Sequence, residues 1–330
     1  MQTPSPNQTN DISRHVQWSS VLTFFLLACA LAAIIDIPLW VGVVSITSLH
    51  GKLLIGVSMY TPAAAAVFTV VALQGVRGRK IGATLGWSPV RPLHRTTLLA
   101  VAGLFGSILI PVAAVFLAAL LGVTRLDLHN FSGYASSLKT LLPAGKALPM
   151  SINALVIMQL IQIPVASLFN SLLTVGEETG WRGFLLPALK PLGTWPALII
   201  TGIAWGLWHT PVILLGYNFN QPNLYGMALM TIGCLAYGIL IGWLRIHAGN
   251  IWPSVIAHGA FNAAGGFYVF VVAAGSTPNL IAIGPLGWSA WIIMGILILV
   301  LALTRQIPKN NAWSSHTDQT LALPSASNKG

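Results

Sequence analysis

An all-α, polytopic membrane protein is the fold class this chain predicts, and three observations carry that expectation. Charged residues make up 7% of its 330 residues and hydrophobic ones 55%, against roughly 25% charge in a typical soluble domain. The mean hydropathy is +0.78. The apolar residues also fall in long unbroken runs. At about 20 apolar residues per span, eight segments qualify: about 20–40, 54–76, 96–122, 150–175, 195–216, 224–244, 251–274 and 281–303. Backbone amides in hydrocarbon need partners within the segment, and runs of this length supply them as helices. A barrel would show alternating segments of about ten residues instead. The expected architecture is a bundle of about eight transmembrane helices with an intramembrane active-site cavity.

Along the chain, residues 1–19 form a polar head, and no cleavable signal peptide is expected, because the first apolar run is long and further spans succeed it. Asp36, followed by Pro38, stands near the end of the first span and is expected to end that helix at the interface; carrying protons is its alternative role. The connection at about 77–95 is basic and contains Trp87, Pro89 and Pro92, which suits an element lying at the membrane surface. The connection at about 123–149 mixes Asp127, His129, Gly133 and Pro143 on the opposite side. The last two spans are joined by a Gly/Pro-rich stretch, Gly275 to Gly287, without a charge. One membrane domain thus covers 20–304, and 305–330 reads as a disordered tail rich in Ser, Asn, Thr and Gln. No internal repeat of the kind that marks many transporters is visible.

Orientation follows from the basic residues. Twelve of the sixteen Lys and Arg fall on the N-terminal side of the spans, and four (Lys52, Arg125, Lys139 and Lys146) on the other. Both termini are therefore expected in the cytoplasm, with the chain in the plasma (inner) membrane. The net charge of +10 then reflects topology and contact with anionic membrane lipids. No basic stripe with interleaved aromatics marks a soluble nucleic-acid-binding surface, so nucleic acid is not an expected partner. Cys29 and Cys234 both fall in apolar spans, which gives no disulfide framework.

Against this background the two glutamates of the chain, Glu177 and Glu178, are adjacent and beside an apolar span. Acids in that setting are costly and tend to be functional. In a helix Glu178 and Arg182 share a face, while Glu177 points about 100° away, free of that pairing. A desolvated carboxylate of this kind suits general-base work; a helix-end ion pair at the interface is the plainer reading. His209 lies in Trp205-Gly206-Leu207-Trp208-His209, one turn after Trp205 and roughly 20 Å into its span at ~1.5 Å per residue. His258 and Asn262 are one turn apart and can direct two hydrogen bonds at one point, as an oxyanion hole requires. Interhelical polar glue is the alternative for that pair. The chain directions bring all three motifs toward one cavity, expected to be reached from the cytoplasm.

Glu-Glu-x-x-x-Arg, then aromatic-x-x-x-His, then His-x-x-x-Asn, in that order over eight spans, resembles the CPBP family of intramembrane proteases (CAAX proteases and bacteriocin-processing enzymes, also called Abi proteins), whose best-known branch is the type II CAAX prenyl endopeptidase. The resemblance covers about residues 150–275, which would be the protease core. It implies that Glu177 and His209 activate water, that His258 and Asn262 stabilise the tetrahedral oxyanion, and that Glu178 and Arg182 hold the first Glu and its helix in place. Trp205 stands where the family commonly has Phe, a change expected to reshape the pocket without altering the chemistry. The family is often described as metalloprotease, and Glu177, His209 and His258 would make a three-ligand set with an open fourth position for zinc or another divalent metal. There is no His-Glu-x-x-His helix, and a metal-free route through Glu177 is equally consistent with the residues. The implied partner is a peptide or membrane-anchored protein substrate, of CAAX or leader-peptide type.

Two other classes stay open at this stage. A proton-coupled secondary transporter would spread polar residues from face to face and break helices at the midplane. A non-enzymatic bacteriocin-immunity protein would keep the fold and make the motif residues dispensable.

Overall fold

The computed structural model describes residues 15–143 and 146–308. Residues 305–308 of the predicted tail are described, and Ile307 is buried on the core; the rest of the tail and most of the polar head lie outside the described residues. The chain is helical, and extended pairing among the described residues is confined to one isolated bridge, Leu126 to Val272. The helices that build the bundle are α1 (Trp18–Ile35), α2 (Leu49–Leu73), α3 (Leu93–Leu120), α4 (Ile152–Ala188), α5 (Thr194–Trp208), α6 (Leu224–Ala248), α7 (Trp252–Val271) and α8 (Leu280–Leu303). All but α5 are long and apolar enough to cross a membrane, so seven spans meet that standard where about eight were expected.

The eighth predicted span, at 195–216, is shorter because α5 ends at His209. Pro211 has no amide hydrogen to continue the ladder, and the hydroxyl of Thr210 takes its place by donating to the Leu207 carbonyl at 2.6 Å. The chain then restarts as a separate turn, Thr210–Ile213. This break sets His209 at a helix end.

Successive helices run in opposite directions. The odd-numbered ones begin on the face where α1 begins (the N-terminal face), and the even-numbered ones begin on the far face. α7 packs on α3 and α4, α5 on α6, and α8 on α6 and α3. Between helices in lipid there is little hydrophobic drive, and small residues bring backbones close enough for dispersion to hold them. A Cβ on Gly206 would lie 2.5 Å from Thr231 Cα of α6, and one on Gly259 would lie 2.4 Å from Ser171 Oγ of α4. These contacts draw α5 onto α6 and α7 onto α4, which sets the spacing of the motif residues they carry. Side chains pointing away from the bundle, among them Leu22, Leu26, Leu98 and Phe169, remain exposed as a lipid-facing surface requires.

On the N-terminal face the predicted surface element exists as the helix Lys80–Thr84. The residues after it are pinned beneath the bundle. Trp87 Nε1 donates to Thr179 Oγ1 at 2.9 Å, Ile251 N donates to the Gly86 carbonyl at 3.0 Å, and Trp252 Nε1 donates to the Trp87 carbonyl at 3.0 Å. Leu85 is fully buried.

Candidate active site

The acidic motif was expected at a helix end, and the structure corrects this. α4 does not stop near residue 175; it runs on through Glu178 and widens into a π-helical turn, Thr179–Leu185, before ending at Ala188. Such widened turns recur at functional sites because they re-aim side chains without ending the helix. The fall in hydropathy at Glu-Glu-Thr-Gly imitates a span end, but the charges are paired internally. Both carboxylates are buried, Glu177 at 2% and Glu178 at 0% exposure.

The two glutamates divide as their helical positions predict. Arg182 NH1 donates to Glu178 Oε1 at 2.9 Å, and His258 Nδ1 meets the same oxygen at 2.9 Å. Glu177 belongs to neither bond. Its Oε2 accepts a hydrogen bond from Trp205 Nε1 at 2.6 Å. A phenylalanine could not make that bond, so Trp205 does more than fill space: it fixes one carboxylate oxygen and leaves the other to the cavity.

Trp205 is the hub of the site. The Arg182 guanidinium carbon sits 4.5 Å from its ring centroid, a cation–π contact that occupies a cation whose Nε and NH2 find no hydrogen-bond acceptor. The His258 ring packs edge-on at 5.1 Å and the His209 ring lies at 6.0 Å. His209 Nδ1 is 2.9 Å from the Trp205 carbonyl. A carbonyl only accepts, so Nδ1 carries the hydrogen and a neutral His209 presents a bare Nε2. The same logic makes His258 Nδ1 the donor to the Glu178 carboxylate, leaving its Nε2 on the other edge of the ring.

Glu177, Trp205, His209, His258 and Asn262 all line one cavity of about 810 Å³, while Glu178 and Arg182 stand behind its wall. That volume lies in the range of ligand sites. Asn262 is exposed to it, one turn beyond His258. Asp36 ends α1, as expected, and is also buried and bound by Ser58 Oγ at 2.9 Å; it lines the same cavity far from the glutamates in sequence.

Several residues of the site carried no signal in the sequence. Tyr237 stacks on Phe261 at 4.1 Å, and its hydroxyl is 2.8 Å from the Ala257 carbonyl and 2.9 Å from Ser107 Oγ, which fixes α7 beside α6 and α3. Thr174 Oγ1 donates to the Val255 carbonyl at 3.0 Å and so ties α4 to α7 one turn from Glu177. Trp208 Nε1 donates to Thr61 Oγ1 at 3.1 Å. A lone Tyr, Thr or Trp in an apolar span has no spacing that marks it.

The sequence model of the type II CAAX prenyl endopeptidase Rce1-like family matches residues 156–264. That stretch holds every residue of the constellation. Residues 156–264 are thus similar to the Rce1-like family. A 93-residue stretch is also 35% identical to CAAX prenyl protease 2 of Methanococcus maripaludis, covering 26% of this chain and 34% of the relative. The chain thus spans about a third of the length of that curated relative. Helices α1 to α3 lie outside the Rce1-like stretch, yet α1 and α2 contribute Asp36, Lys52 and Ser58 to the cavity wall.

Among the described residues, no group of three or more His, Cys, Asp or Glu side chains stands where it could hold a metal ion. Glu177, His209 and His258 each spend one polar atom on a protein partner instead.

The Trp205 bond makes its own prediction. Trp205→Phe keeps the aromatic packing and removes the donor; with a charged-group hydrogen bond worth about 1.5–3 kcal/mol, the melting temperature should fall, and kcat should fall roughly tenfold or more while KM holds. Wild-type kcat in that variant would show that the bond does not position Glu177.

Proposed function

We propose that this chain is an intramembrane endopeptidase that hydrolyses peptide bonds of membrane-associated substrates. The observation that carries the reading is the division of labour between adjacent buried glutamates: Glu178 neutralised by Arg182 and His258, Glu177 held by one oxygen and open to the cavity on the other.

The chemistry follows from those partners. The free Glu177 oxygen accepts a hydrogen bond from a water, and His209 Nε2 accepts the second and fixes its orientation. As the water oxygen attacks the scissile carbonyl, Glu177 takes its proton. The oxyanion that forms is met by His258 Nε2–H and the Asn262 amide. With Nδ1 donating to Glu178, donation from Nε2 requires the imidazolium form of His258. Glu178 thus acts on His258 as a carboxylate acts on the histidine of a catalytic triad, holding the ring and offsetting its charge. When the intermediate collapses, the C–N bond breaks and Glu177 returns its proton to the leaving amine. One water is consumed, and a carboxylic acid and an amine are released. Every group in this sequence is a side chain of the Rce1-like stretch, and no step needs a metal.

The relative's name points to CAAX processing; leader peptides of secreted peptides and membrane-anchored regulators have the same chemistry at the scissile bond. A transporter needs two compartments, and a protease does not. Purified protein in detergent should therefore cleave quenched peptides drawn from host membrane proteins. 1,10-Phenanthroline, at a concentration that inactivates a control zinc protease, should leave the rate unchanged. Loss of cleavage reversed by zinc would put a metal into the mechanism. No cleavage in detergent, together with uptake into sealed vesicles that collapses with the proton gradient, would replace the protease reading with transport.

A further inference from the structure

The cavity opens on the far face, where the even-numbered helices begin. We infer that the site is reached from the non-cytoplasmic side of the membrane, and that its substrates are exported or extracytoplasmic polypeptide segments; this rests on the protease reading above.

Two independent features place the mouth. The cavity wall includes Asp36 after α1, Lys52 at the start of α2, Tyr217 and Asn220 between α5 and α6, and Tyr268 near the end of α7. All of these are far-face positions. Lys52 and Asn220 are exposed and mark the rim. None of the N-terminal-face connections, 74–92, 189–193 or 249–251, reaches the cavity wall. Instead that face is closed. Leu85 to Trp87 lie under the π turn of α4, pinned by the Trp87–Thr179, Gly86–Ile251 and Trp87–Trp252 bonds. Arg245 closes the same floor, its Nε donating to the Arg182 carbonyl at 3.1 Å.

Charge then assigns the sides. Among the described residues, the N-terminal face carries Arg77, Arg79, Lys80, Arg91, Arg95, Lys190, Arg245 and Arg305, with no acid. The far face carries four, Lys52, Arg125, Lys139 and Lys146. Arg182, counted earlier with the basic face, is interior and drops out of the tally. Positive charge marks the cytoplasmic side, so the sealed floor faces the cytoplasm and the mouth faces away. Depth narrows the substrate further. Tyr237 on the cavity wall is 13 residues below Leu224, the first residue of α6, or roughly 20 Å at ~1.5 Å per residue. About six residues of extended chain cover that distance. The fitting substrate presents a flexible strand of at least that length on the outer side of the membrane. A cytosolic prenylated tail meets the sealed face instead.

The test uses single cysteines, with the unsubstituted protein reporting any background from Cys29 and Cys234. Lys52→Cys at the rim and Lys139→Cys elsewhere on the far face should both shift in mass when spheroplasts are treated with a membrane-impermeant PEG-maleimide. Arg79→Cys should shift only after permeabilisation. Labelling of Arg79→Cys in intact spheroplasts, with Lys52→Cys and Lys139→Cys silent, would overturn the inference, and so would equal labelling of all three. Shift at Lys139→Cys without shift at Lys52→Cys, before or after permeabilisation, would show that the mouth is closed and overturn it as well. The labelling pattern does not depend on activity, so an absence of Glu177-dependent cleavage would count against the protease reading alone.

Discussion

Glu177→Gln should abolish peptide cleavage while leaving the fold intact. The glutamine oxygen can still accept from Trp205 Nε1, which now stands 2.6 Å from Glu177 Oε2, so the substituted side chain keeps its anchor. It also removes a buried negative charge, which a folded protein tolerates readily. What it loses is the capacity to take a proton from water. General-base contributions run to about 10²–10⁴ in rate, and kcat/KM on a defined substrate should fall by that much. The thermal transition in detergent should not move down. Activity within a few-fold of wild type would remove Glu177 from the role of base, whatever its position.

Arg182→Met should do the opposite: it should unfold the site. Arg182 and Glu178 are both fully buried, and their contact is 2.9 Å. Breaking a buried pair by removing one partner costs about 3–5 kcal/mol, enough to lower the melting temperature and the yield of folded protein in the membrane. Arg182→Lys should fall between, since an ammonium keeps the charge and loses the planar stack over Trp205. Replacing both partners, Glu178→Leu with Arg182→Met, should recover most of the stability because no unpaired charge remains. It should not recover activity, because His258 Nδ1 has then lost its acceptor. Thermal melts and rates measured on the same four proteins separate the two effects. An Arg182→Met variant as stable as wild type would contradict the pairing described here.

The candidate constellation was legible in the sequence because its members are chemically rare in their surroundings. Two acids in an apolar neighbourhood, two histidines inside spans and an Asn one turn on are conspicuous against leucine and alanine, and helical spacing alone predicts that Glu178 faces Arg182 and Glu177 does not. What supports them was not legible. Tyr237, Thr174 and Thr61 act through contacts between helices that sequence spacing does not encode. The role of Trp205 was half visible: the aromatic position was read, the hydrogen bond to Glu177 was not, because it depends on where the π turn rotates the glutamates.

The extents of two spans differ from the expected ones for related reasons. Hydropathy registers composition, so α5 with the Pro211 break reads as one full span and α4 reads as ending at its buried charges. Placing Glu177 at a helix end on the cytoplasmic surface is what leads to the expectation of access from that surface. In the structure α4 continues past Glu178 to Ala188, and the segment 85–87 fills the space beneath. Depth along α4 was the missing quantity, and no pattern of residue types supplies it.

The most direct measurement compares peptide termini in membranes from cells carrying the wild-type protein or Glu177→Gln at matched expression. New amino and carboxyl termini present only with wild type are the predicted result, and they would name the substrate as well. Identical sets of termini, with both proteins folded and equally abundant, would contradict the claim that this buried constellation hydrolyses peptide bonds.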